Sequence, residues 1–255
     1  MRTVFYTIIS DSHYHGCRTD DFIKSFKKFH PDIDLVVFRQ KEIDETFGSN
    51  PKLNFYNSKA SFAKKLYNDY DLVVNIDADH LIFDRLDEIL IGDYDVAAPA
   101  NYNCWLNTGI GTNTFGNNDI FSRGELVSHV NYLQGGLIAS TSRKFWDEYE
   151  YMCLKASTLF GNKENDILNL IHLLLPYNFK VLDGDYDYRS ENFKCYYGCA
   201  SLGRENQVKL ENDKLILDNK VMKAYHFARA GIEKIHPRQL FSSQVCDFID
   251  SQILV

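Results

Sequence analysis

The chain has 255 residues, 45% of them hydrophobic and 25% charged, the proportions of one soluble globular domain or of two small ones sharing a core. At this length folding buries roughly 70–75% of the unfolded surface, so neither disulfides nor a structural metal is needed. With 35 acidic against 28 basic residues the formal charge is −7, which argues against a dedicated nucleic-acid binder or a polybasic membrane-surface protein. An anionic substrate therefore has to be held by a few local Lys or Arg, a helix end or a metal ion.

The N-terminal run Val4-Phe5-Tyr6-Thr7-Ile8-Ile9 meets Asp11 too soon for a signal segment and reads as a first strand over residues 3–9. Thr19-Asp20-Asp21 caps a helix with Phe22, Phe26 and Phe29 at i, i+4, i+7, stopped by Pro31. Residues 35–38 are a second strand and residues 58–69 a helix. Leu72-Val73-Val74-Asn75-Ile76 is a buried third strand ending at Asp77, followed by a short helix at 85–90 and a strand at 95–98. This alternation of strand and helix predicts βαβ units and a parallel sheet. The Asn- and Gly-rich stretch 100–131 breaks the pattern, as long functional loops do. Regularity resumes with a strand at 136–139, helices at 142–156 and 164–175, a hairpin from Val208 to Leu217 turning at Asn212-Asp213, a strand ending at Tyr225-His226-Phe227, and a C-terminal helix over 238–254.

No segment approaches the ~20 apolar residues of a membrane span. The six cysteines (17, 104, 153, 195, 199, 246) are scattered, and Cys195 and Cys199 have no second pair to complete a zinc site. With no Asn-x-Ser/Thr sequon either, the expected compartment is the reducing cytoplasm.

The most informative segment is Asn75-Ile76-Asp77-Ala78-Asp79: a buried strand delivers two carboxylates to its C-terminal edge, where open α/β sheets bind ligands. Two hard oxygen ligands there suit Mg²⁺ or Mn²⁺ held jointly with a phosphate; the bland reading is that Asp77 caps a turn and Asp79 is solvated. Asp183-Gly184-Asp185-Tyr186-Asp187 imitates a calcium loop but has Tyr188 and Lys194 where such a loop needs Gly and Glu. Glu164-Asn165-Asp166 opens a helix, where carboxylates also favour the dipole as simple caps. His226 sits at a strand end with Gly231 and Lys234 shortly after; it reads as a metal ligand or as an ordinary core histidine. Ser10-Asp11-Ser12-His13-Tyr14 closes strand one and offers an acceptor and an aromatic face for a base, or forms a plain surface turn.

Taken together, the strand-end aromatic, the Asp-Ala-Asp after a buried strand, the Gly-rich strand and the late His-Phe…Gly…Lys resemble the metal-dependent glycosyltransferases of the GT-A type. Within them the pattern is most similar to the family-8 group of glycogenin and bacterial lipopolysaccharide galactosyltransferases. The resemblance runs from about residue 3 to 95 and from 134 to 234. It implies one α/β GT-A domain over 1–255, Rossmann-like, with a mainly parallel sheet, flanking helices and a small antiparallel element. Residues 1–99 are then the nucleotide-binding half and 100–255 the acceptor side with the C-terminal helix.

By the same resemblance Thr7, Ile8, Asp11 and Tyr14 hold the uridine, with Tyr14 stacked on the base. Lys59, a residue or two off the family's spacing, meets the donor, and Asp77 meets metal and ribose. Asp79 and His226 complete the metal shell. Gln134-Gly135-Gly136-Leu137-Ile138 matches the family's Asn-Ser-Gly-Val strand beside the donor sugar, so Gly135 and Gly136 belong to the donor site. Glu164, Asn165 and Asp166 match its Asp-Gln-Gly helix start that orients sugar hydroxyls, and Lys234 its diphosphate-binding Lys. The implied reaction moves a hexose from a UDP-sugar to an acceptor hydroxyl on a carbohydrate or protein, with Mn²⁺ or Mg²⁺ and retention; a homo-oligomer is compatible with it. The His-Phe-x-Gly-x-x-Lys-Pro-Trp signature is here stretched by two residues and lacks Pro-Trp. Residues 100–131 and 186–222 have no counterpart, so the acceptor is left open. Two other classes remain: a haloacid-dehalogenase-like phosphohydrolase, which normally carries D-x-D on its first strand rather than the third, and a non-catalytic carbohydrate-binding protein on the same fold.

Overall fold

A computed structural model describes residues 1–11, 17–55, 57–100, 133–160, 164–182, 195–199, 205–227 and 241–254. The first half contains β1 (Thr3–Ile8), α1 (Cys17–Phe29), β2 (Asp34–Phe38), α2 (Gln40–Ser49), α3 (Lys59–Lys64), β3 (Leu72–Ile76), β4 (His80–Ile82), α4 (Asp87–Leu90) and β5 (Val96–Pro99). Then come β6 (Leu137–Ser140), α5 (Arg143–Phe160), α6 (Glu164–Leu174), β7 (Phe179–Leu182), β8 (Cys195–Cys199), β9 (Lys209–Glu211), β10 (Lys214–Leu217), β11 (Lys220–His226) and α7 (Ser243–Phe248), which runs on into a π-turn at Ile249–Ile253.

Six strands form the central sheet in the order β2-β1-β3-β6-β5-β7. It is mainly parallel: β1 pairs in parallel with β2 and β3, and β5 with β7, while β6 runs against both β3 and β5. The two-residue period of the strands sorts their side chains between two cores. Val4, Tyr6, Ile8 and Val73 face one side, where Phe62 of α3, Phe145, Trp146 and Tyr149 of α5, and Leu168 and Ile171 of α6 pack against them. Phe5, Leu72, Val74 and Ile76 face the other, against Phe22 and Phe26 of α1. Each fully buried side chain of this size contributes roughly 1.5–3 kcal/mol. A strand covered on both faces needs a near-continuous apolar run, and Leu72-Val73-Val74-Asn75-Ile76 supplies one, interrupted only by Asn75, in which every residue is buried.

A second sheet orders β4-β11-β10-β9, with β8 parallel to the outer side of β11. A third core beneath it joins Leu81, Leu215, Met222, Tyr225 and Phe227 to Phe241, Val245 and Ile249. The expected hairpin forms at Asn212-Asp213, both residues at positive φ, and a like turn at Asp218-Asn219 leads into β11.

Several elements differ from the sequence reading. The strand expected at 136–139 forms at 137–140 and runs antiparallel to both of its neighbours, β3 and β5. The helix expected over 58–69 ends at Lys64, giving way to turns at 65–69, and the one expected over 85–90 shrinks to Asp87–Leu90. Helix α2 was not anticipated; it starts where the Glu42 carboxylate accepts from Arg39 N at 3.0 Å. Strand β4 was not anticipated either. Three residues carry too short a period to register, yet β4 takes the chain from the first sheet to the second and thereby sets the candidate site.

Candidate metal and donor site

The turn Asp77-Ala78-Asp79 lies between the two sheets. Ile76 ends β3, His80 begins β4, and three backbone bonds fix the turn: Asp77 N to Gly136 O (2.8 Å), His80 N to Asp77 O (3.2 Å) and Phe227 N to Asp79 O (2.9 Å). The antiparallel register of β4 and β11 pairs His80 with His226, so a residue 149 positions beyond Asp77 arrives at the same point. His226 Nε2 lies 3.1 Å from Asp79 Oδ1 and 3.9 Å from Asp77 Oδ2. Among the described residues, Asp79, His80 and His226 form a group of candidate metal ligands whose ligand atoms all lie within 4.8 Å of one another.

The donor set fits a divalent cation. Two neighbouring ligands of an octahedral ion with bonds of about 2.1 Å stand about 3 Å apart, which is the Asp79–His226 spacing. Asp79, His226 and, across the remaining gap, Asp77 are the side chains that would hold the ion. A mixed carboxylate and imidazole set favours Mn²⁺ over the all-oxygen preference of Ca²⁺.

Lys59 closes the other side. It is buried at the start of α3, and its Nζ donates to Gly135 O at 2.6 Å and lies 3.0 Å from Asp77 Oδ1 and 3.6 Å from Glu164 Oε1. The Tyr6 hydroxyl donates to Lys59 O at 2.6 Å, anchoring this helix start to β1. Burial works against the Lys59 ammonium, but Asp77 and Glu164 outweigh it and hold its pKa above the ordinary value. Burial pushes the Asp77 carboxyl up against the opposing pull of Lys59 and His226. At Asp79 burial acts the same way but loses to the charge and hydrogen bond of His226, so the carboxyl stays well below the usual range. Burial, aided by the neighbouring His226, drives His80 down to about 3, leaving that ring neutral.

Close approach to the His226 ring requires glycine at 136, and Gly135 faces only the end of the Asn165 side chain. A Cβ on Gly136 would stand 2.5 Å from His226 Cε1, and one on Gly135 2.5 Å from Asn165 Oδ1. That Asn165 oxygen accepts from Gly135 N at 2.7 Å, so the start of α6 holds the Gly loop. Asn169, one turn on, accepts from Leu133 N (2.7 Å) and donates to Leu133 O (2.9 Å).

The structure thus brings together Lys59, Asp77, Asp79, Gly135, Gly136, Glu164, Asn165 and His226. Thr7 is fully buried in β1, where among the described residues its hydroxyl has no hydrogen-bond partner, and the Ile8 side chain packs into the core. Asp11 is exposed at the strand-one exit, and its N–H donates to Gln40 Oε1 at 3.0 Å. Tyr14, Lys234 and the Asp166 side chain lie outside the described residues. The sequence reading gave no role to His80, and named Gln134 only as the first residue of the Gly strand. Gln134 Nε2 lies 2.5 Å from His226 Nδ1 and the His80 ring stacks on that of His226; the one available signal for His80 was its place directly after Asp79.

No protein-family model matches the sequence, and no curated protein does. Solved structures match the fold. The galactosyltransferase LgtC, in complex with donor and acceptor sugar analogues, superposes with a TM-score of 0.55 at 14% identity, over 97% of this chain and 95% of that one. Mouse xyloside xylosyltransferase 1 gives 0.51 at 7% identity, over 89% and 98%. The bifunctional glycosyltransferase WbbM gives 0.50 at 15% identity over 71% of this chain, which spans only 38% of WbbM. Among the described residues no helix is long and apolar enough to cross a membrane. The fold is therefore the GT-A fold of glycosyltransferases such as LgtC, with a mainly parallel central sheet, as the motifs implied.

Proposed function

We propose that this chain is a divalent-metal-dependent glycosyltransferase that moves a hexose from a UDP-sugar to an acceptor hydroxyl with retention, working in the cytoplasm. The observation that carries the reading is the convergence of Asp77, Asp79 and His226 at the C-terminal end of β3, beside the Gly135-Gly136 strand entry and Glu164. A fold shared with LgtC, whose structure holds donor and acceptor sugar analogues, supports it. A bound Mn²⁺ or Mg²⁺ supplies Lewis-acid relief of the charge that develops on the departing nucleoside diphosphate.

In this reading residues 1–99 form the nucleotide side and 100–255 the acceptor side. Asp11, exposed at the end of β1, flanks the uridine and Tyr14 stacks on it, while Thr7 and Ile8 support that strand end from within the core. Lys59 keeps Asp77 and Glu164 from repelling one another, so that both carboxylates stay in the cleft. Glu164, Asn165 and Asp166 orient sugar hydroxyls from the start of α6, and Lys234 adds fixed positive charge at the diphosphate.

The test is turnover of a panel of UDP-hexoses with Mn²⁺, with excess chelator, and by the Asp79→Asn variant. We expect turnover with Mn²⁺ that chelator abolishes, and none from Asp79→Asn with its fold intact, since the change removes one charge and almost no volume. Full turnover in chelator, or hydrolysis of phosphomonoesters without any turnover of sugar donors, overturns the reading.

A further inference from the structure

His80 has no role in the reading above, yet it is one of the most constrained side chains at the site. It is 4% exposed, its Nδ1–H donates to the Asp77 carbonyl at 2.8 Å, and its ring lies against His226 with centroids 4.2 Å apart and planes within 4° of parallel. The stack follows from topology: His80 and His226 are directly opposed in the β4–β11 register, so both rings project from the same face.

Two roles are open to a histidine so placed, a second imidazole ligand or a brace for the first. Parallel rings decide between them. An imidazole nitrogen binds along its lone pair, in the ring plane. With the planes parallel and stacked, an ion in the His226 plane stands about a full ring separation out of the His80 plane, where His80 has no lone pair to offer. We propose that His80 is a positioning residue: its ring fixes the plane of His226, and Gln134, with its amide turned so that Oε1 accepts from Nδ1–H, helps it aim Nε2 at the cation beside Asp79.

His226 is then held on three sides. Gly136 leaves room for its edge, Gln134 meets Nδ1, and His80 covers its face. An unbraced imidazole swings about its Cβ–Cγ bond, and its nitrogen spends less time within bonding distance of the ion. The proposal rests on the reading that Asp79 and His226 hold a divalent cation.

The experiment is Mn²⁺ titration of the full chain by electron paramagnetic resonance in the presence of UDP, with pulsed measurement of the imidazole nitrogens on the bound ion. Parent protein, His226→Ala, His80→Phe, His80→Leu and His80→Ala are compared, with thermal denaturation of each. One imidazole nitrogen is expected in the parent and none in His226→Ala. His80→Phe, which keeps a flat ring in the stack, should hold Mn²⁺ within about threefold of the parent and keep the nitrogen signal. His80→Leu and His80→Ala should bind roughly 10–100-fold more weakly, the usual cost of losing a second-layer support. His80→Leu fills the site without a flat ring and decides the question should the Ala variant not fold. Two imidazole nitrogens in the parent, loss of one in His80→Phe, or parent-like affinity in His80→Leu overturns the brace alone. Absence of Mn²⁺ binding by the parent, or a nitrogen signal that survives His226→Ala, overturns the metal site and the brace together.

Discussion

Gly136→Ala tests the site geometry most directly, because the structure sets its consequence in ångströms. The new methyl would lie 2.5 Å from His226 Cε1, 2.7 Å from Nδ1 and 3.2 Å from Nε2. Carbon atoms in contact settle at about 3.5–4.0 Å, so the ring has to retreat by about 1 Å. Retreat is not free, since one face of the ring is stacked on His80 at 4.2 Å and Gln134 stands at Nδ1. Forcing a methyl into such a place costs about 1–3 kcal/mol, which lowers the melting temperature of a chain this long by roughly 2–12 °C. The larger effect is on the cation: a shift of about 1 Å is half the length of a metal–nitrogen bond, and Mn²⁺ affinity should fall by at least roughly 10–100-fold. Gly135→Ala meets only the end of the Asn165 side chain, which swings aside at the cost of one hydrogen bond, so its effect on Mn²⁺ should be smaller. Mn²⁺ titration followed by UDP-hexose turnover reads both variants. Parent-like Mn²⁺ affinity in Gly136→Ala would mean that His226 does not ligate the ion from where it stands.

Lys59→Met keeps the length of the side chain but leaves Asp77 and Glu164 without their shared cation and Gly135 O without its donor. Breaking a buried pair costs about 3–5 kcal/mol, toward the low end here because the Asp77 side chain is 32% exposed; urea unfolding measures it, and unchanged stability refutes the assigned role. Asn219 sits at φ 61° in the turn between β10 and β11, so Asn219→Val should destabilise by about 1–2 kcal/mol while Asn219→Gly is tolerated. Equal melting temperatures for the two would contradict this. His30 is buried, accepts from Leu86 N at 3.0 Å, and is pushed by burial down to about 4. Between that value and the ordinary 6.5 the unfolded chain binds the extra proton, so stability is full above pH 6.5 and is lost as pH falls toward 4, by up to roughly 3 kcal/mol. Unfolding free energies from pH 7 to 4.5 should show this slope, and a His30→Asn variant should flatten it.

The sequence by itself determined several of the covered strands, β1, β2, β3 and β5 among them though not β4 or β7, and which carboxylates follow β3. Apolar runs such as Leu72–Ile76 and the spacing of Phe22 and Phe26 are local patterns, and local patterns survive folding. It also determined the residue types of the site: Asp77 and Asp79 after a buried strand, a Gly pair before another, an acidic helix start, and a late histidine. What only the tertiary structure decided are the meetings among them. His226 reaches Asp79 because β4 leaves the central sheet to pair with β11, and a three-residue strand carries no periodic signal. His80 and Gln134 act on His226 through a cross-strand register and a side-chain contact that join residues 146 and 92 positions apart in the chain. Lys59 proved to be the shared counter-ion of Asp77 and Glu164 because the starts of α3 and α6 meet the end of β3 at one point. Composition and spacing fix the chemistry a residue can perform; which partners it meets depends on long-range pairing, which no local pattern encodes.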